Sequence, residues 1–70
     1  MEELRAPMVG RIIEVLVEAG ASVEEEEEVL VLESMKMQIP ITVPRAGVVR
    51  EVRAIPGMTV QEGDLLLVLE

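Results

Sequence analysis

The chain is a succession of short apolar runs separated by glycine, proline and acidic residues. GRIIEVLVEAG occupies Gly10 to Gly20 and EVLVLE occupies Glu28 to Glu33. QIPITVP follows from Gln38 to Pro44, then GVVREVRAIPG from Gly47 to Gly57, and GDLLLVLE closes the chain. Each run is of strand length, rich in Val, Ile and Leu, and bounded by turn residues. None keeps a three-four spacing long enough to form an amphipathic helix. The pattern predicts several short strands at regular intervals in an all-β sandwich or barrel, with no helix and no linker. At 70 residues the chain is one domain, 1–70.

The runs also repeat. Shifted by 37 positions, segment 6–33 (APMVGRIIEVLVEAGASVEEEEEVLVLE) aligns without a gap on segment 43–70 (VPRAGVVREVRAIPGMTVQEGDLLLVLE), with ten identities in 28 pairs. Pro7 meets Pro44, Gly10 meets Gly47, Gly20 meets Gly57, and Val31-Leu32-Glu33 meets Val68-Leu69-Glu70. The turn residues fall in register together with the apolar ones. Two similar β-halves related by an approximate two-fold axis, and stacked face to face, are expected from this. The join between them is then at one pole, the chain ends at the other.

Composition narrows the function. The chain has no Cys, no His and no aromatic residue, so its core is aliphatic and no disulfide or cysteine–histidine metal site supports it. The net charge of −8 and the missing aromatics argue against nucleic acid as a partner. No run approaches the twenty apolar residues of a membrane span, and MEELRAP lacks the layout of a signal peptide. A cytoplasmic domain is the expectation, monomeric by default. Without a nucleophile–base pair the chain does not read as an enzyme. The acidic run Glu24–Glu28 reads as a solvated turn rather than a cation site.

One residue stands apart. Lys36 is the only lysine beside five arginines, and it lies in the join, between Met35 and Met37. A hairpin with Met35 and Lys36 at its centre puts Ser34 opposite Met37, Glu33 opposite Gln38, Leu32 opposite Ile39 and Leu30 opposite Ile41. That register sets apolar against apolar on one face. Two-residue hairpin turns require positive φ and favour Asn-Gly or Asp-Gly, so Met-Lys departs from the chemistry the turn prefers. Such a departure signals that something other than folding chose these residues. Exposed methionines offer an adaptable apolar contact to a partner. A thioether copper site is disfavoured, because Met35 and Met37 point to opposite sides and no His or Cys assists. A tip lysine is a handle for acylation: once neutral, its amine attacks an activated acyl group and then carries the cargo on a flexible stem.

The pentapeptide Glu33-Ser34-Met35-Lys36-Met37 resembles the (A/S)MKM signature of biotinyl domains, the carriers of biotin-dependent carboxylases. The resemblance extends over nearly the whole chain: APMVGRI at 6–12, AGASVEEEEEVLVLESMKM, PRAGVV, and IPGMTVQEGDLLLVLE each look like the matching stretch of that family. It implies an all-β flattened barrel, or sandwich, of two four-stranded antiparallel sheets with pseudo-two-fold symmetry, the barrel-sandwich hybrid. It implies that Lys36 carries covalent biotin, attached by a biotin protein ligase. Met35 and Met37 would be recognition residues near the biotin ring, with Glu33 and Ser34 completing the site. The partners implied are the ligase, a biotin carboxylase and a carboxyltransferase acting on an acyl-CoA or similar acceptor; the domain itself catalyses nothing. The related lipoyl domains usually carry Asp before the lysine and Ala after it, so the flanking methionines favour biotin over lipoate. An unmodified β-sandwich used for protein contact is the remaining alternative. The chain resembles the compact domains that lack a thumb insertion, whether free-standing or part of a longer protein. It departs from the family at Glu26, where glycine is usual and where the second repeat has Gly63. Glutamate there is expected to sit at positive φ with a cost of about 1 kcal/mol.

Overall fold

The structure is a computed structural model that describes residues 1–70. It contains eight strands and no helix: β1 Glu2–Arg5, β2 Gly10–Val15, β3 Ser22–Val23, β4 Glu28–Ser34, β5 Met37–Thr42, β6 Gly47–Val52, β7 Thr59–Val60 and β8 Leu65–Leu69. They form two four-stranded sheets, in the orders β1-β8-β6-β3 and β5-β4-β2-β7, with every pairing antiparallel. The all-β class and the two-sheet architecture expected from the sequence are those observed.

The 37-residue shift maps one sheet onto the other. It takes β2 to β6, β3 to β7, β4 to β8 and β1 to β5, which reproduces the strand order of the first sheet in the second. The halves interlock, however, and do not stack as separate layers. β2 and β4 of the first half lie in one sheet while β3 crosses to the other; β7 makes the reciprocal crossing. The physical reason is that the segments leading into β3 and β7 hydrogen-bond across to the other half, Gly20 and Ala21 with Val49, and Gly57 and Met58 with Ile12. Each finds its partner on the other half: β3 on β6, and β7 on β2.

The symmetry extends to the irregularities. β2 skips Ile13 against β4, and β6 skips Arg50 against β8, at equivalent positions. β4 skips Val29 against β5, and β8 skips Leu66 against β1. A bulge re-aims a side chain that alternation would turn outward. The consecutive residues Val29 and Leu30, and likewise Leu66 and Leu67, are therefore all fully buried. The core cluster is duplicated in the same way, pairing Ala6 with Val43, Ile12 with Val49, Val23 with Val60 and Leu32 with Leu69. No polar or charged residue is buried. Each of the Val, Leu and Ile side chains among them contributes about 1.5–3 kcal/mol through burial, and no disulfide supplements them.

Glu26 stands at φ 66° and its counterpart Gly63 at φ 90°. Their backbone N–H groups donate to equivalent carbonyls, Glu26 to Val43 at 2.8 Å and Gly63 to Ala6 at 2.9 Å. The expected left-handed conformation at Glu26 is thus present, held by the same hydrogen bond that glycine makes in the other half. The acidic run is not all solvated filler. The Glu27 carboxylate accepts the Glu24 backbone N–H at 2.9 Å, as the Asp64 carboxylate accepts that of Gln61 at 2.8 Å. Substituting Glu26 by Gly should raise stability by about 0.5–1 kcal/mol, or about 2–8 °C in Tm. Gly63→Ala should lower it by a similar amount. Thermal melts of the two variants check the pair, and a fall in Tm for Glu26→Gly would refute the strain assigned to this turn.

Candidate functional site

β4 and β5 form a long hairpin whose register is the expected one: Leu30 faces Ile41, Leu32 faces Ile39, Glu33 faces Gln38 and Ser34 faces Met37. Two residues remain to close it. Met35 has φ 54° and Lys36 has φ 66°, the positive pair of a type I′ turn. These two and Glu26 are the only non-glycine residues at positive φ in the protein. Holding side chains with a Cβ in this region costs about 1–2 kcal/mol each.

The turn is also fully displayed. Met35 is 91% exposed and Met37 is 64% exposed. Lys36 is exposed and takes part in none of the three ion pairs, which join Arg5 to Glu3, Arg45 to Glu2 and Arg53 to Glu51. Those pairs all involve residues of β1 or β6 in the other sheet, at exposed or half-buried surface positions where such pairs contribute little. The sequence-derived residues Glu33, Ser34, Met35, Lys36 and Met37 are brought together, with Glu33 and Ser34 half-buried at the base of the tip. Two shallow depressions exist elsewhere, one beside Met1, Arg50 and Leu65, the other beside Val15, Glu18 and Ser22; neither includes a residue of the hairpin tip.

Two residues near the tip escaped sequence reasoning as parts of the site. A Cβ at Gly10 would lie 2.6 Å from the Glu33 carbonyl oxygen and 2.9 Å from the Leu32 side chain. Gly10 therefore lets β2 lie close against the base of the hairpin. Its repeat partner Gly47 faces the Glu70 carbonyl in the same way, at 3.2 Å, so the shared glycine was the available signal. Arg11 is level with Glu33 on the neighbouring strand.

Chemically, the arrangement offers a primary amine on a four-carbon stem, raised from a rigid sheet, with apolar side chains on both sides. It has no cavity to bind a small molecule and no group beside the amine to take its proton.

A family model described as "Biotin-requiring enzyme" matches residues 2–69. The "Biotin/lipoyl attachment protein" of Bacillus subtilis is 50% identical over 62 residues, which are 89% of this chain and 85% of that protein. The mitochondrial propionyl-CoA carboxylase alpha chain of Homo sapiens is 46% identical over 67 residues, 96% of this chain and 9% of that protein. The dihydrolipoyllysine-residue acetyltransferase component of the Pseudomonas aeruginosa pyruvate dehydrogenase complex is 42% identical over 73 residues, 99% of this chain and 13% of that protein. Among solved structures, a single-chain, multi-domain long-chain acyl-CoA carboxylase superposes with a TM-score of 0.89 at 38% identity, covering 94% of this chain and 7% of that one. The chain thus spans a small part of the multidomain proteins it matches and most of the small attachment protein.

The turn chemistry sets a trade between folding and display. Replacing Met35-Lys36 by Asn-Gly should stabilise the hairpin by about 1–2 kcal/mol while removing the amine. Gly10→Ala should destabilise by about 1–3 kcal/mol, because the atom it meets is backbone. Denaturant titration of both variants, with hydrogen exchange of the β4 and β5 amides, checks these two outcomes.

Proposed function

The chain belongs to the family of biotin/lipoyl attachment domains, and on that footing we propose that it is a biotin carboxyl carrier, with biotin in amide linkage to Nζ of Lys36. The observation that carries this reading is the tip itself. A lone lysine stands between two exposed methionines, on a turn that holds non-glycine residues at positive φ. The identity to a propionyl-CoA carboxylase chain supports the same direction.

The tip fits the group. Lys36 lacks an ion-pair partner that acylation would strand, and neutralising its charge leaves no buried carboxylate behind. Amide formation joins the neutral Nζ to the activated biotin carboxyl; the adenylate leaves as AMP, and the amine proton passes to a base on the ligase. Bound biotin supplies a ureido nitrogen that takes up and hands on a carboxyl group. The chain's own part is mechanical. The paired sheets keep the body rigid, the lysine stem supplies reach, and the tether raises the local concentration of the group at two partner sites. A biotin carboxylase and a carboxyltransferase are those partners in this reading, with an acyl-CoA or similar acceptor.

A lipoyl carrier is the second reading, and the 42% identity to a dihydrolipoyllysine-residue acetyltransferase is the observation in its favour. The same amine and stem serve lipoate equally well. The flanking methionines weigh against it, because lipoyl domains usually have Asp and Ala there.

Incubation with biotin, ATP and a biotin protein ligase should add one biotinyl increment to the intact mass. Lys36→Arg should abolish the increment and change stability by less than about 0.5 kcal/mol. An increment with lipoate and its ligase, and none with biotin, would replace the first reading by the second.

A further inference from the structure

We infer that Met35 and Met37 form an oxidisable gate on the loading of Lys36: conversion of their thioethers to sulfoxides closes the tip to the ligase. This rests on the reading of Lys36 as the biotinylated residue. The chain has five methionines, and the structure sorts them. Met8 is half-buried and packs on the core, and Met58 is 41% exposed in a loop. Met35, Met37 and Met1 are the most exposed, at 91%, 64% and 81%. Met1 adjoins β1, which pairs with β8, and in the repeat the chain ends take the place that the Lys36 turn takes in the other half. Two of the three readily oxidised sulfurs therefore flank the lysine, and the third belongs to the other end of the repeat.

Retreat is denied to them by the backbone. The register of β4 and β5 fixes the turn at two residues, both held at positive φ. At 91% exposure Met35 is left uncovered by the rest of the chain. The oxidant is a peroxide. The sulfur lone pair attacks the distal oxygen, the O–O bond breaks, the oxygen stays on sulfur, and water leaves from hydrogen peroxide. The sulfur is oxidised by two electrons and the peroxide is reduced by two. The product is a polar, chiral side chain with a strong acceptor oxygen where a soft apolar contact stood. A ligase that closes on the tip must desolvate that oxygen, and one unpaired oxygen lowers the loading rate about tenfold.

The experiment treats the purified chain with hydrogen peroxide, removes the oxidant with catalase, and then measures biotin loading by intact mass. Peptide mapping should show Met35 and Met37 oxidised well before Met8. The chain oxidised at Met35 and Met37 should load at least about tenfold more slowly than the untreated chain, through a raised KM, and methionine sulfoxide reductases A and B together should restore the rate. In the double variant Met35→Leu, Met37→Leu, the ratio of treated to untreated rates should be one, whatever that variant's own rate. Equal loading of treated and untreated wild-type chain overturns the inference, and so does an undiminished peroxide effect in the double variant. Failure of the untreated wild-type chain to take biotin at all is a different result: it removes the carrier reading and the gate with it.

Discussion

The structure depends on the facing of Leu30 with Ile41 and of Leu32 with Ile39 across β4 and β5. These side chains belong to the interior between the sheets, and the side-chain period of a strand is two. A slip of one residue would turn both pairs outward and expose the core. Once that register is fixed, the chain has two residues in which to reverse. Two-residue reversal between twisted strands demands positive φ, and it falls on Met35 and Lys36 because of where the leucines stand. The display of the lysine is thus a consequence of apolar pairing below it. Gly10 reinforces the arrangement by letting the next strand come close to Glu33.

The repeat explains how so small an aliphatic core suffices. Every bulge, every positive-φ turn residue outside the hairpin tip and most core residues have a partner 37 positions away. Exchange of the two-residue strands β3 and β7 locks each half to the other, so neither sheet can form without both halves. What the symmetry lacks is a second lysine tip. In the sheet of β1 and β8 the corresponding place is taken by the chain ends, beside the pairing of Glu2 with Leu69. The body thus presents its one lysine at one pole.

Local strain coincides with the candidate site at the tip but not at Glu26. Both places hold non-glycine residues at positive φ. At the tip the strained residues stand on the exposed turn of the β4–β5 hairpin, around the chain's one lysine. At Glu26 the hydrogen bond to Val43 fixes the conformation, and the other half shows that glycine does the same work. Nothing in the structure explains why glutamate stands there.

Much of this was legible in the sequence, for a physical reason. Strand identity follows from alternation and turn residues, hairpin register follows from apolar facing, and a repeat is a comparison of the chain with itself. All three are carried by residues near one another or by side-chain type. The positive φ at Glu26 could likewise be read, because Gly63 marks the same turn. Other features were settled only by the folded chain. The sequence suggested two stacked halves, whereas β3 and β7 change sides. The bulges at Ile13 and Val29, the bond from the Glu24 N–H to Glu27, and the closeness of Gly10 to Glu33 were equally hidden. Each depends on which backbone groups meet across long separations, and every backbone N–H and carbonyl is chemically the same as the next. The residues specify what must be buried and where the chain must turn. Only the assembled sheets decide which strands share their hydrogen bonds, and through that, which residues surround the lysine.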